Sequence, residues 1–238
     1  MGSRPAPREP LITTPLTPSR LAPFETDSGG EPVERPRARF AEPAILPPVA
    51  LADDHRFLRG TLTHALLEHL PALPKKQWEP AAEAFMAARG GAELPARMRK
   101  EIVVETLAVL REPAFASLFG PDARAEVAIA AEIPHPKEGG PALRFAGKID
   151  RLVREGDSVL IVDYKTNRPP PRDPADVAEA YLLQLAAYRM AVQSIFKGLH
   201  IRAALLWTDG PRIMEIPRAV LDTHQQRLWH LDPASLDA

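Results

Sequence analysis

Cysteine is missing altogether from this chain of 238 residues. That excludes disulfides, thiolate-held zinc and cysteine-ligated iron–sulfur clusters. Long apolar runs are missing too: no stretch reaches the about 18 residues that a membrane helix needs, and no secretory leader pattern stands at the N-terminus. The cytoplasm is the default compartment on those grounds. No G-x-x-x-x-G-K-[ST] stretch occurs, so the chain is expected to carry no ATP site of the P-loop kind and to be no helicase by itself. Nor is there an excess of basic charge. Thirty Lys and Arg stand against 31 Asp and Glu, a net charge of −1, so any surface for nucleic acid must be local.

What is present is ordinary for a globular α/β chain, except for 27 prolines placed unevenly. Residues 1–50 are dense in Pro, with Arg and Glu interleaved, and read as an extended linker. Within it Leu16-Thr17-Pro18-Ser19-Arg20-Leu21 can dock as a short strap. A chain that begins this way reads as the tail of something longer. Residues 51–238 form the folded domain, a helical block over about 54–120 and a catalytic core over about 123–217.

The helical block starts at Asp54–Leu70, where Leu62, Leu66, Leu67 and Leu70 recur at helical spacing and Pro71 and Pro74 end the run. Thr61 or Thr63 is available near its start. His64 stands beside the apolar stripe; His69 faces solvent. Trp78–Arg89 and Lys100–Leu110 are two further helices, and Phe115, Leu118 and Phe119 read as core plugs after them. The core opens with Ala123–Ile133, whose alternation makes a strand. Glu126 on it is either a third acid of a site or a solvated strand charge.

The centre of the chain is Leu143–Lys165, LRFAGKIDRLVREGDSVLIVDYK, two strands joined at Glu155-Gly156-Asp157. On the first, Leu143, Phe145 and Ile149 point one way, and Arg144, Ala146, Lys148 and Asp150 the other. The second is a β-branched run ending in Asp163-Tyr164-Lys165, where Asp163 and Lys165 must share a face and Tyr164 takes the other. A carboxylate beside a buried strand costs several kcal/mol unless it is paired or bound to a metal. Two acids and a lysine at one end of such a hairpin suit metal-assisted phosphodiester hydrolysis. The plainer reading is strand-end ion pairing among Asp150, Asp163, Lys148, Arg151 and Lys165.

Beyond Lys165, Arg168 is a candidate phosphate contact. Asp176–Phe196 reads as a long helix with Tyr181, Gln184 and Tyr188 on one face and Leu182, Leu185, Ala186 and Val192 packing. Ile201–Trp207 and Ile213–Ile216 are strands, and Leu221–Ala238 forms a short helix before it frays.

In order, the chain offers G-T-x-x-H (Gly60, Thr61, His64), Glu126 on a strand, G-x-I-D (Gly147 to Asp150), V-D-Y-K-T (Val162 to Thr166) and Q-L-x-x-Y (Gln184 to Tyr188). This order resembles the RecB-type branch of the PD-(D/E)xK nucleases, over roughly Asp54 to Ile216. LTPSRL, RGTLTHALLEHLP and GKIDRLV are similar to the C-terminal nuclease domains of the AddA helicase–nucleases of bacterial double-strand break repair. The resemblance implies a restriction-endonuclease-like α/β fold, a mixed sheet flanked by helices with the helical block before it. It implies Mg²⁺ held by His64, Asp150, Asp163 and the Tyr164 main-chain carbonyl, with Lys165 as the catalytic lysine. Glu126, Gln184 and Tyr188 take supporting catalytic roles. An imidazole ligand also suits Mn²⁺, which is expected to substitute. The implied partners are DNA, single-stranded, a helicase motor in cis in a longer parent chain, and an AddB-like partner protein. Two other readings stand beside this one: a stand-alone phage or mobile-element exonuclease, and a silent DNA- or partner-binding module. The second is marked by a broken motif, whereas His64, both aspartates and Lys165 are intact here.

Overall fold

The computed structural model describes residues 17–18, 48–88 and 91–230. Most of the Pro-rich linker, and the end of the expected C-terminal helix from residue 231, lie outside the described residues. Among the described residues no helix is long and apolar enough to cross a membrane.

Helix α1 spans Pro48–His69, α2 Trp78–Ala88 and α3 Ala96–Arg111. Strands β1 (Ala123–Ile133), β2 (Leu143–Glu155) and β3 (Ser158–Lys165) follow, then α4 (Glu179–Ile195), β4 (His200–Trp207), β5 (Arg212–Glu215) and α5 (Arg218–Leu228). The sheet has five strands in the order β1-β2-β3-β4-β5. Neighbours are antiparallel except β3 and β4, which run parallel with α4 as the crossover. The fold is thus a mixed sheet flanked by helices, of the restriction-endonuclease-like kind, with a helical block before it.

Each face of the sheet has its own core. On one face Leu62, Leu66 and Leu67 of α1, and Leu70 just after it, pack with Ile102 and Leu107 of α3 against Val153, Leu160, Val162 and Tyr164. On the other, Tyr181, Leu185, Tyr188 and Val192 of α4 pack against Phe145, Ile149, Ile161 and Leu205. Tyr164 therefore faces the helical block while its neighbours face α4, as the period-two rule requires. Fully burying each such side chain contributes roughly 1.5–3 kcal/mol.

Several boundaries differ from the sequence reading. Helix α1 begins at Pro48 and not at Asp54, with Pro at its first position, where a missing N–H costs nothing. Thr61 is consequently mid-helix, its Oγ1 donating to the Phe57 carbonyl at 3.1 Å, and Thr63 is buried; neither caps the start. Helix α3 is longer than Lys100–Leu110 at both ends. Helix α4 starts at Glu179, because Pro174–Asp176 is a separate 3-10 turn in which Asp173 Oδ1 accepts from the Ala175 N–H at 2.8 Å.

The largest departure from simple alternation lies in β1 and β2. Ala123 and Val153 belong to the core under α1, yet Ile129, Phe145 and Ile149, of the same parity, belong to the core under α4. Both strands change face between the pairs Ala125–Arg151 and Val127–Ile149, at the rung of Glu126 and Asp150. Glu126 makes the change with φ of 50°, a left-handed backbone uncommon for a side chain of its size. The β2–β3 ladder also stops there: its last pair is Arg151–Val162.

Candidate active site

Where β2 and β3 part, the groups that would have continued the ladder find other partners. The Tyr164 N–H donates to Asp150 Oδ2 at 2.8 Å, and the carbonyl of Tyr164 lies 3.2 Å from His64 Nε2. His64 comes from α1, and the parted strands let its ring stand edge-on to Tyr164 with centroids 5.5 Å apart. Its Nδ1 lies 3.4 Å from Asp150 Oδ1. Glu126 completes the group: one ligand atom from each of His64, Glu126 and Asp150 lies within 4.8 Å of the others. Glu126 also holds the Lys148 ammonium at 2.8 Å. Glu126 is thus half-buried beside His64 and Asp150.

Asp163 stands slightly apart from that group. Its Oδ2 is 2.6 Å from Lys165 Nζ, and both side chains are buried. Lys165 donates a further bond to Gln184 Oε1 at 3.0 Å and lies 4.1 Å above the Tyr181 ring. The Tyr181 hydroxyl donates to Asn167 Oδ1, and that of Tyr188 to the Lys148 carbonyl at 2.5 Å. The helical spacing of Tyr181, Gln184 and Tyr188 therefore brings all three to one cavity of about 490 Å³, also lined by His64, Asp163 and Lys165. Gly147 permits the close packing behind it. A Cβ there would lie 3.0 Å from Pro18 Cδ and 3.3 Å from Tyr188 Cε1.

The electrostatics are those of crowded acids. Burial pushes Asp163 up, and the charge of Asp150 adds to it, although Lys165 opposes both. Burial would raise Asp150 as well, but His64 and the Tyr164 N–H outweigh it and hold its carboxyl below the usual range. Burial opposes charge on His64; the Asp150 carboxylate overcomes it and raises the imidazole to about 9. Lys165, disfavoured by burial, is kept charged by Asp163. Asp163 Oδ2 is buried, with the Lys165 ammonium as its charged partner. A hard divalent ion fits the oxygen and imidazole donor set that these crowded side chains bring together. The residues available to hold it are His64, Glu126, Asp150, Asp163 and the Tyr164 carbonyl.

Arg168, the candidate phosphate contact, is engaged by two acids. It pairs with Glu101 at 3.4 Å and with Glu105, the same acids that hold Arg59 of α1. It ties the loop after Lys165 to α3. Sequence reasoning also missed Phe57, an exposed aromatic on the cavity-lining face of α1; its spacing of seven residues before His64 was the available signal.

Comparison with known proteins yields a match to the PD-(D/E)XK nuclease superfamily over residues 40–229. The chain belongs to that superfamily. PD-(D/E)XK proteins are generally nucleases, hence hydrolases, and typically use a divalent metal. An ATP-dependent helicase/nuclease subunit from Moorella thermoacetica is 28% identical over 228 residues, 86% of this chain and 15% of that protein. Its counterpart from Pelotomaculum thermopropionicum is 44% identical over 79 residues, 33% of this chain. This PD-(D/E)XK chain thus spans 6% to 15% of the length of those relatives. Among solved structures, SSO0001 aligns at 16% identity with a TM-score of 0.35, covering 74% of this chain and 75% of that one.

Proposed function

We propose that this chain is a divalent-metal-dependent deoxyribonuclease that cuts single-stranded DNA delivered by a helicase motor, in double-strand break repair and recombination. The observation that carries the reading is the buried Asp163–Lys165 pair, 2.6 Å apart, beside His64, Glu126 and Asp150. A bound Mg²⁺ or Mn²⁺ supplies a water of lowered pKa and neutralises charge on the scissile phosphate. The chain's own residues do the rest. Asp150, Asp163, Glu126 and His64 fix the cation's place, with the Tyr164 carbonyl completing the set. Lys165, held charged by Asp163 and aimed by Gln184, sits against the phosphate oxygens and orients the attacking water. Tyr188 holds the Lys148 carbonyl and so steadies the strand two residues before Asp150.

The single-strand preference rests on Phe57, which is 49% exposed and lines the same cavity. Every base offers a face for stacking on such a ring, so the contact is sequence-tolerant. The motor and an AddB-like partner rest on the similarity to helicase/nuclease subunits named above, with the motor in cis in a longer parent. The test is degradation of labelled single-stranded DNA with Mg²⁺, with Mn²⁺ and with EDTA, wild type beside Lys165→Ala. Metal-dependent cutting lost in the variant supports the assignment. DNA bound but left whole under every metal, in this chain and in its full-length parent, refutes it in favour of a binding module.

A further inference from the structure

Asp150 is followed in β2 by a buried cation whose hydrogen-bond partners, among the described residues, are all neutral. Arg151 is 4% exposed. Its Nε donates to the Tyr164 hydroxyl at 2.8 Å, its Nη2 donates to the Leu67 carbonyl at 2.6 Å, and its guanidinium lies 4.9 Å from the centre of the Phe119 ring. Burying a charge on neutral acceptors works against stability relative to leaving it in water. The placement therefore needs a reason.

Both hydrogen-bond acceptors of Arg151 belong to residues closely tied to the site. Asp150 is its chain neighbour. Tyr164 lies between Asp163 and Lys165 and carries the carbonyl that faces His64. Leu67 is about one helical turn beyond His64 in α1. Its carbonyl is short of a donor because the residue four places on is Pro71, which has no N–H. Arg151 fills that place. One guanidinium thus joins the strand carrying Asp150, the strand carrying Asp163 and Lys165, and the helix carrying His64. It does so at the last rung of the β2–β3 ladder, Arg151–Val162, beyond which the two strands part.

We propose that Arg151 is a positioning residue that sets His64 of α1 against Asp150 and the Tyr164 carbonyl. The inference rests on the nuclease reading for its effect on cleavage, and on geometry alone for its effect on the ligand set. Second-layer partners of metal ligands are worth about 10- to 100-fold in metal affinity or activity, and Arg151 acts at that level.

The experiment takes the full chain and measures Mn²⁺ binding by the loss of the free-ion EPR signal, single-stranded DNA cleavage, and thermal melting. Wild type is compared with Arg151→Gln, Arg151→Lys, Tyr164→Phe and Val159→Ala. Val159 is buried at the far end of β3 and serves as the stability-matched control. Arg151→Gln is expected to weaken Mn²⁺ about 10-fold and slow cleavage about 10- to 100-fold. Lys cannot reach both acceptors and does not rescue; Tyr164→Phe moves both readouts in the same direction by less. Val159→Ala lowers the melting temperature and leaves both unchanged. Mn²⁺ binding and cleavage at wild-type levels in Arg151→Gln overturn the proposal, or in Tyr164→Phe should Arg151→Gln not fold. Wild type that binds Mn²⁺ but cuts nothing refutes the nuclease reading while the binding arm still judges Arg151. Wild type that binds no Mn²⁺ overturns both.

Discussion

Lys165 Nζ approaches Asp163 Oδ2 to 2.6 Å, with both side chains nearly closed off from solvent. Neither charge can be removed without stranding the other. Breaking such a pair from one side costs about 3–5 kcal/mol, so Asp163→Ala and Lys165→Ala should melt lower than wild type as well as lose cleavage. Lys165→Met with Asp163→Asn removes both charges and is expected to melt above either single alanine variant while remaining inactive. Cleavage by at least about 10²-fold less is expected for Lys165→Ala. Gln184→Ala, which removes an acceptor for Lys165 and a neighbour of Tyr188, should lose about tenfold in kcat; a loss equal to that of Asp163→Ala contradicts its supporting role.

The raised imidazole of His64 gives metal binding a pH dependence with a definite sign. At pH 7 a group lifted from 6.5 to about 9 is protonated, and a metal binds only the neutral ring. Apparent Mn²⁺ affinity should therefore rise with pH, by up to about tenfold per unit, and level off above pH 9. His64→Gln should flatten that rise. Without metal the sign for stability is the reverse. Protonated His64 beside Asp150 stabilises the fold fully below 6.5, and the contribution is lost as pH passes through 9. Melting in EDTA, wild type against His64→Gln, should show a difference that shrinks between those limits.

Phe57 is exposed on the face of α1 that lines the cavity. Base stacking on an aromatic ring is worth about 1–3 kcal/mol. Phe57→Ala should raise KM for single-stranded DNA at least about fivefold with kcat nearly unchanged. A fall in kcat at constant KM contradicts stacking as its role.

Gly147 leaves 3.0 Å between an added Cβ and Pro18 Cδ, and 3.3 Å to Tyr188. Gly147→Val should lower the melting temperature by forcing one or both away, at about 1–3 kcal/mol for overpacking. Pro18→Ala in the same chain should recover part of the loss, because it empties the nearer contact. Strict additivity of the two changes would mean that Pro18 does not press on this glycine.

Much of this architecture was written in local periodicity. The β2–β3 hairpin, the shared face of Asp163 and Lys165 and the cavity-facing row of Tyr181, Gln184 and Tyr188 all follow from spacings of two or about 3.6. The change of face at Glu126 and Asp150 does not. It is made by a glutamate in a backbone conformation that sequence signals through glycine or asparagine, so alternation was carried through it unbroken. Arg151 and Arg168 were opaque for another reason. Sequence shows such an arginine as a charge without showing what it meets, and only the tertiary fold supplies the Leu67 carbonyl or the Glu101 and Glu105 carboxylates that hold them. The start of α1 was hidden because proline density outweighed the one position where helices welcome it.

The two cores on opposite faces of the sheet have a practical corollary. His64 belongs to the segment before Gly120, and every other candidate ligand to the segment after it. Opening the chain at the exposed turn Pro121-Asp122 would yield two pieces, neither holding a whole ligand set. Cleavage of DNA by such a split protein would then report the reunion of its halves, turning the sheet's division of labour into a proximity sensor.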